Sequence, residues 1–487
     1  MASRGSLLSP LALVAFCLLG SGCVPALTDP AREADAHVPE SYSVAAVPSA
    51  TLPRPAGDGP ADDGSLPESS AELKPEEFFP DPALQALIKA ALEHNQELSI
   101  SSLEVLISRF EIREKEGEYL PKAHLRAGGA ALRPGQDDAE FEHYSNGADY
   151  VLGLFASWEL DIWKKLRNAR SAAAKRYLAS LAGKRFFVTN LVSEVAHSYY
   201  ELLALDSQLS VLAENIRIQQ QALEIVRLEK QAGRVSELAV KRFEAEVFKN
   251  RSRRYVILQK ITETENRLNV LAGRFPRRVE RRAGGFLDLR PRAIDVGLPA
   301  ELLTHRPDIQ RAELALQAAK LDVEVARASF YPALELNAGV ALTRAFEFAD
   351  APSNPFSFAY HLAAELTQPL WNRRALEAKY RSANAMQMQA VIRYEQAILK
   401  AYTEVQNKLA KVGNMARSYD LRAEEVKRLV QSIEISANLF RSARADYMEV
   451  LLTRRDALNA EMELIETKAE QLEAVVSLYR ALGGGWR

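Results

Sequence analysis

The sequence predicts a mainly α-helical fold with a smaller β component, written twice along the chain. Three observations predict it: landmarks that recur at a nearly constant spacing, very long stretches without proline, and paired segments of alternating polarity. At 487 residues the chain exceeds one ordinary core, so more than one domain is expected.

The first element is a leader. Arg4 gives a weakly positive start, Pro10 precedes an apolar run from Leu11 to Leu19, and Gly20-Ser21-Gly22 lead into Cys23. That is an export signal, too short to span a membrane by itself. A cysteine directly after small residues resembles a bacterial lipoprotein signal, although Gly20 stands where a leucine is usual. The resemblance implies that residues 1–22 are removed and that Cys23 carries lipid on its sulfur and amine. Ordinary cleavage before an unmodified cysteine is the alternative. Cys17 and Cys23 are the only cysteines, so no disulfide or thiol metal site is expected in the folded part. Residues 23–77, rich in Pro, Ala, Ser, Asp and Glu in their middle part, hold too little apolar surface to order themselves, and a flexible tether is expected.

From about residue 78 the duplication sets the organisation. Tyr331-Pro332 repeats Leu120-Pro121 at an offset of 211, and Trp371 repeats Trp163 at 208. Val450 repeats Val240, and Leu482-Gly483 repeats Ala272-Gly273, both at 210. One offset kept across the body marks two copies of the same element order. The expected parts are a first repeat over 78–276, a connection over 277–304 and a second repeat over 305–487.

The helices follow from proline placement. None lies between Pro134 and Pro276, and none follows Pro369. A helix from Lys164 to about Ala232 would run roughly 100 Å at about 1.5 Å per residue, too long for a globular core to cover on one side. Leu209, Leu212, Ile216, Gln219, Leu223 and Val226 alternate in steps of three and four, which predicts a coiled-coil seam. Val426, Leu429, Ile433 and Phe440 keep the same phase in the second repeat. The first helix turns near Gly233 and returns from Ser236 to Leu271. Its twin turns near Ala443 and returns from Asp446 to Leu482.

Each repeat also has two alternating segments. Those near 123–132 and 150–158 belong to the first repeat, and those near 333–343 and 356–367 to the second. Strands of about ten residues with one apolar face fit a membrane barrel wall. A half-buried sheet of a soluble domain reads the same way. Four strands cannot close a barrel, and open edges are forbidden in lipid, so a membrane reading requires several chains. Three chains would supply a shared twelve-strand barrel.

Net charge is −2, and basic residues alternate with acidic ones, so no basic patch and no nucleic-acid partner are expected. The seven histidines lack metal-ligand spacing, and no nucleophile-elbow or phosphate-loop pattern occurs. No catalytic residue, metal or cofactor is expected.

Ser157-Trp158-Glu159-Leu160-Asp161-Ile162-Trp163 resembles the strand-to-helix signature of outer-membrane efflux proteins of the TolC/OprM type. Val296-Gly297-Leu298-Pro299-Ala300-Glu301-Leu302-Leu303 with Arg306-Pro307-Asp308, then Gln368-Pro369-Leu370-Trp371, and the ending from Leu478 to Trp486 resemble the family as well. With the leader, the likeness falls on the lipidated, NodT-like branch. It implies a homotrimer with a twelve-strand barrel in outer-membrane lipid, a periplasmic twelve-helix tunnel, a periplasmic adaptor and an inner-membrane pump. Small toxic compounds are the implied cargo; metal efflux, protein secretion and a structural coiled-coil lipoprotein stay open. The likeness also assigns the two hairpin turns. Gly233, Arg234, Val235 and Ser236 match an adaptor-docking turn, with Ala443 and Asp446 in the twin. Glu449, Phe440, Arg441 and Arg444 match a periplasmic aperture, with Phe440 replacing the family's tyrosine and Ala443 its glycine. A merely solvated Glu449 is the alternative.

Overall fold

In a computed structural model of the chain, residues 24–27, 30–42, 70–132, 147–282, 284–347, 357–368, 373–442 and 444–486 are described. Cys23, Ala443 and Trp371 lie outside them. The main elements are helices α1 (Pro82–His94) and α2 (Gln96–Tyr119), strands β1 (Lys122–Leu132) and β2 (Gly147–Leu160), and helices α3 (Lys165–Gln231) and α4 (Glu237–Leu271). The second repeat follows with α5 (Pro307–Ala328), β3 (Ala333–Glu347), β4 (Ser357–Thr367), α6 (Arg373–Arg441) and α7 (Tyr447–Ala481). The expected order therefore occurs twice, and α3 runs unbroken through Gly183 for 67 residues.

The chain divides into two compact units, and α3 and α6 contribute residues to both. The first comprises residues 1–35, 105–180 and 312–394, and holds the sheet. Its strands are antiparallel in the order β1-β2-β3-β4. Two tryptophans, one in β2 and one just after it, bond to neighbouring backbone carbonyls. The Trp163 indole N–H donates to the Pro332 carbonyl at 2.8 Å, with its ring stacked on Tyr331, and Trp158 donates to the Tyr119 carbonyl at 3.0 Å.

The second unit comprises 36–104, 181–311 and 395–487. Here the duplication is legible in single hydrogen bonds. Asn95 donates from Nδ2 to the carbonyl of Leu271, at the end of α4. Its counterpart Arg306 donates to the carbonyl of Ala481, at the end of α7, at 2.7 Å. Gly273 and Gly483 follow these helix ends with φ of 62° and 94°. A Cβ on either would strike a backbone carbonyl oxygen, that of His94 or His305. Glycine is required at both places for conformation and for space.

The expected tether is narrower than residues 23–77. Ser70–Glu72 and Pro75–Phe78 are helical turns, and Phe78 and Phe79 are buried. Within the first unit, the backbone N–H of Ala31 donates to Asn384 Oδ1 on α6 at 3.2 Å. Within the second, Tyr42 stacks on Tyr402 of the same helix. Aromatic and amide groups in an otherwise polar stretch supply contacts that composition averages away.

The expectation of no basic patch fails at one place. Residues 274–292 carry seven arginines against Glu280 and Asp288, in a chain whose net charge is −2. The arginines come in ones and twos between Pro, Gly and apolar residues, so no run announces them.

Candidate functional site: a two-faced sheet and two hairpin turns

Side chains alternate across the sheet, and its two faces differ in chemistry. Leu125, Leu152, Leu154, Val340, Leu342, Phe358, Tyr360 and Leu362 share one face and are all exposed. Tyr360 and Leu362 are 82% and 81% exposed. A contiguous apolar face without protein cover marks contact with lipid or another apolar surface.

The other face is polar, and the register sorts it into rows. Glu159 lies opposite Glu335, and Glu335 opposite Glu365, so three carboxylates stand side by side on β2, β3 and β4. Carboxylates directly opposite one another repel; Lys165, at the start of α3, pairs with Glu159 and relieves part of this. A second row runs His124, Phe155, Gly339 and His361 across all four strands. Phe155 is flanked by the imidazoles of His124 and His361, each 5.8 Å away between ring centres. A Cβ at Gly339 would overlap both Phe155 and His361, so the glycine makes room for the rings. Neither row was foreseen in the sequence. Its members are far apart along the chain, and only strand register brings them together.

The hairpin turns share one backbone design. The Arg234 N–H donates to the Glu229 carbonyl at 2.9 Å, and the Arg444 N–H to the Leu439 carbonyl at 2.9 Å. The helices α4 and α7 then start one residue after Ser236 and Asp446, whose carbonyls accept from the N–H three residues on at 3.1 Å. Gly233 sits at φ 71°, the left-handed residue that stops α3.

Their side chains differ. Around the first turn, Arg227 pairs with Glu224 and Glu244 at 2.8 Å each, Lys230 pairs with Glu237, and Lys241 reaches Glu244 at 3.1 Å. Beneath them Leu223, Val226, Ala239, Val240 and Phe243 form a buried cluster with Leu451 of α7. The second turn lacks this set of charges: the positions matching Arg227, Lys230, Glu237 and Lys241 are Ala437, Phe440, Tyr447 and Leu451. Arg441 donates to Asn438 Oδ1 at 2.6 Å. Among the described residues Arg444, Asp446 and Glu449 make no ion pair, and all three are exposed. Phe440 is half-buried. Arg234 is exposed and Val235 packs on the first-turn cluster.

One buried group is out of its ordinary range. His197 of α3 lies against α7, with Nε2 at 3.2 Å from the Glu473 carbonyl and 3.2 Å from Ser477 Oγ. Burial pushes its pKa down to about 4, and the nearby cations Arg480, Lys408 and Lys411 act in the same direction. It is a packed helix residue, as its setting beside Tyr199 and Tyr200 implies. Among the described residues no cluster of His, Cys, Asp and Glu could hold a metal ion, and no helix is long and apolar enough to cross a membrane.

The chain belongs to the outer membrane efflux protein family, which it matches over residues 87–274 and 298–484. It is 29% identical over 420 residues to the solvent efflux pump outer membrane protein SrpC of Pseudomonas putida, covering 86% of this chain and 88% of the relative. The cation efflux system protein CusC of Escherichia coli is 27% identical over 412 residues, covering 84% and 88%. The open-state outer membrane channel MtrE of Neisseria gonorrhoeae has the same fold, with a TM-score of 0.78 at 23% identity over 95% of this chain and 99% of that one. The protein is thus an outer-membrane efflux component that works as a channel and not as an enzyme.

Proposed function

We propose that three copies of this chain close one barrel and one helical tunnel, forming the exit duct of a tripartite efflux system. The observation that carries this reading is the four-stranded sheet. It has an uncovered apolar face, a polar face with a row of glutamates, and two free edges at β1 and β4. Free edges have no water to satisfy them in lipid. Three sheets joined edge to edge give twelve strands, apolar outward and polar inward.

In this reading the helical hairpins extend into the periplasm. The first turn, from Gly233 to Ser236, docks a periplasmic adaptor, with the matching residues Ala443 and Asp446 beside it. The second turn forms the aperture, where Glu449, Arg441 and Arg444 of three copies meet around the axis beside Phe440. An inner-membrane pump supplies the cargo, and Cys23 holds the chain by lipid. Small toxic organic compounds are the cargo favoured by the likeness to a solvent efflux protein. A metal cation is the second reading, favoured by the glutamate row and the likeness to a cation efflux protein.

Deleting the gene in its host tests both. Severalfold greater sensitivity to solvents and dyes, restored by the intact gene, is the expected result. Sensitivity confined to salts of metal cations favours the second reading. Unchanged sensitivity to all of these would overturn both.

A further inference from the structure

The arginine-rich segment 274–292 does not lie on an even surface. Arg282, Arg290 and Arg292 line a cleft of about 730 Å³, whose floor includes Phe78, Phe79 and Val476. That volume is typical of a site for a small ligand. The floor is fixed, since all three floor residues are almost fully buried. Arg292 is positioned over the Phe78 ring, 5.9 Å from its centre, and donates to the Glu77 carbonyl.

The charges of the cleft are unevenly answered. Arg281 is consumed by Asp206 and Glu265. Asp81 accepts from the Tyr199 hydroxyl at 2.7 Å and from the Ala83 N–H at 2.9 Å, so its carboxylate is committed to its own surroundings. Glu280 stands at the wall as well. Arg282 and Arg290 have no carboxylate partner among the described residues, and both are exposed. Arg277 and Arg278, equally unpaired, continue the basic surface beside Phe275, which is 92% exposed.

Guanidinium groups on a groove fit planar, doubly hydrogen-bonding anions, and carboxylates match them in geometry. The apolar groups that line the cleft are sunk beneath the arginines, out of reach of a flat bilayer, so the cleft suits a chain segment better than a lipid surface. We propose that this cleft binds a short peptide bearing closely spaced carboxylates and small apolar side chains. Such peptides cross-link the wall polymer of the periplasm, and the chain is thereby moored to it. The inference rests on the periplasmic placement of this unit given under Proposed function. Arg282 and Arg290 supply the ion pairs, and the more open apolar wall of Pro80, Leu289 and Pro291 takes the methyl groups.

Co-sedimentation of the purified full-length protein, in mild detergent, with insoluble murein sacculi tests this directly. The protein is expected to pellet with sacculi, and to do so at least about fivefold less when their carboxylates have been amidated. The Arg282→Ser/Arg290→Ser double variant should lose binding to a similar extent, and the Arg282→Lys/Arg290→Lys variant should keep part of it. Protein that stays in solution, or that binds native and amidated sacculi alike, would overturn the proposal. Stronger binding to anionic phospholipid vesicles than to sacculi would also overturn it, in favour of a lipid surface. Binding is read on isolated protein, so failure here leaves the exit-duct reading standing, whereas failure of that reading shows in the efflux phenotype.

Discussion

Leu223 of α3 and Ile433 of α6 occupy equivalent positions 210 residues apart, yet Leu223 is 7% exposed and Ile433 only half covered. The same holds along both seams. Ile216, Gln219 and Leu223 are buried, whereas their counterparts Val426, Leu429 and Ile433 are intermediate. The charges differ as well: Arg227, Lys230 and Lys241 are paired near the first turn, whereas among the described residues Arg444, Asp446 and Glu449 near the second make no ion pair. Two elements with matched backbone turns therefore differ in where their partners lie. The first hairpin finds them within its own chain, and the second leaves apolar and charged groups for something outside it. In the proposed ring of three copies, that surface would be the contact between them and the lining of the aperture.

Substitutions at equivalent positions should have unequal effects in the two hairpins. Leu223→Ala should cost about 3 kcal/mol by leaving a cavity in a closed cluster. Ile433→Ala should cost less in unfolding and more in assembly. Thermal unfolding and native mass of the two variants check this; equal effects on both readouts would break the contrast.

Acid should reach the sealed half first. His197 titrates in α3, whereas its counterpart 210 residues on is Asn407. Its folded pKa of about 4 lies below the ordinary value of 6.5, so between those values the unfolded chain holds the extra proton. The His197 contribution to stability is then constant above pH 6.5 and falls as pH drops toward 4, by at most about 3 kcal/mol. His197→Asn, which copies the second repeat, should flatten that decline in melting temperatures measured across this range.

Gly233→Ala should destabilise by about 1 kcal/mol, through backbone conformation alone, because no atom lies within 4 Å of the added Cβ. Denaturant unfolding measures it. The smallest effect is expected at the aperture. Glu449→Ala should lower the cation-over-anion permeability ratio in planar bilayers by about threefold, since a carboxylate ring attracts cations. Unchanged selectivity would remove Glu449 from the aperture.

Much of this architecture was legible before the structure, for a physical reason. Proline-free helices, a three-four seam and alternating strands are local periodicities, and duplication printed each of them twice. Strand ends fell within a few residues of expectation, and the turn at Gly233 was marked by its glycine. What escaped depends on distance in the fold. The row Glu159, Glu335 and Glu365 exists only through register. The cleft at Arg282 and Arg290 exists only because a non-repetitive segment lies against Phe78 and Val476. The anchoring of Ala31 and Tyr42 on α6 depends on single contacts that composition does not report.

Native mass spectrometry of the protein extracted from membranes in mild detergent tests the shared barrel most directly. The expected species is a trimer, each protomer having the mass of residues 23–487 plus lipid at Cys23. A folded monomer or dimer would contradict it, because four strands per chain cannot close a wall in lipid.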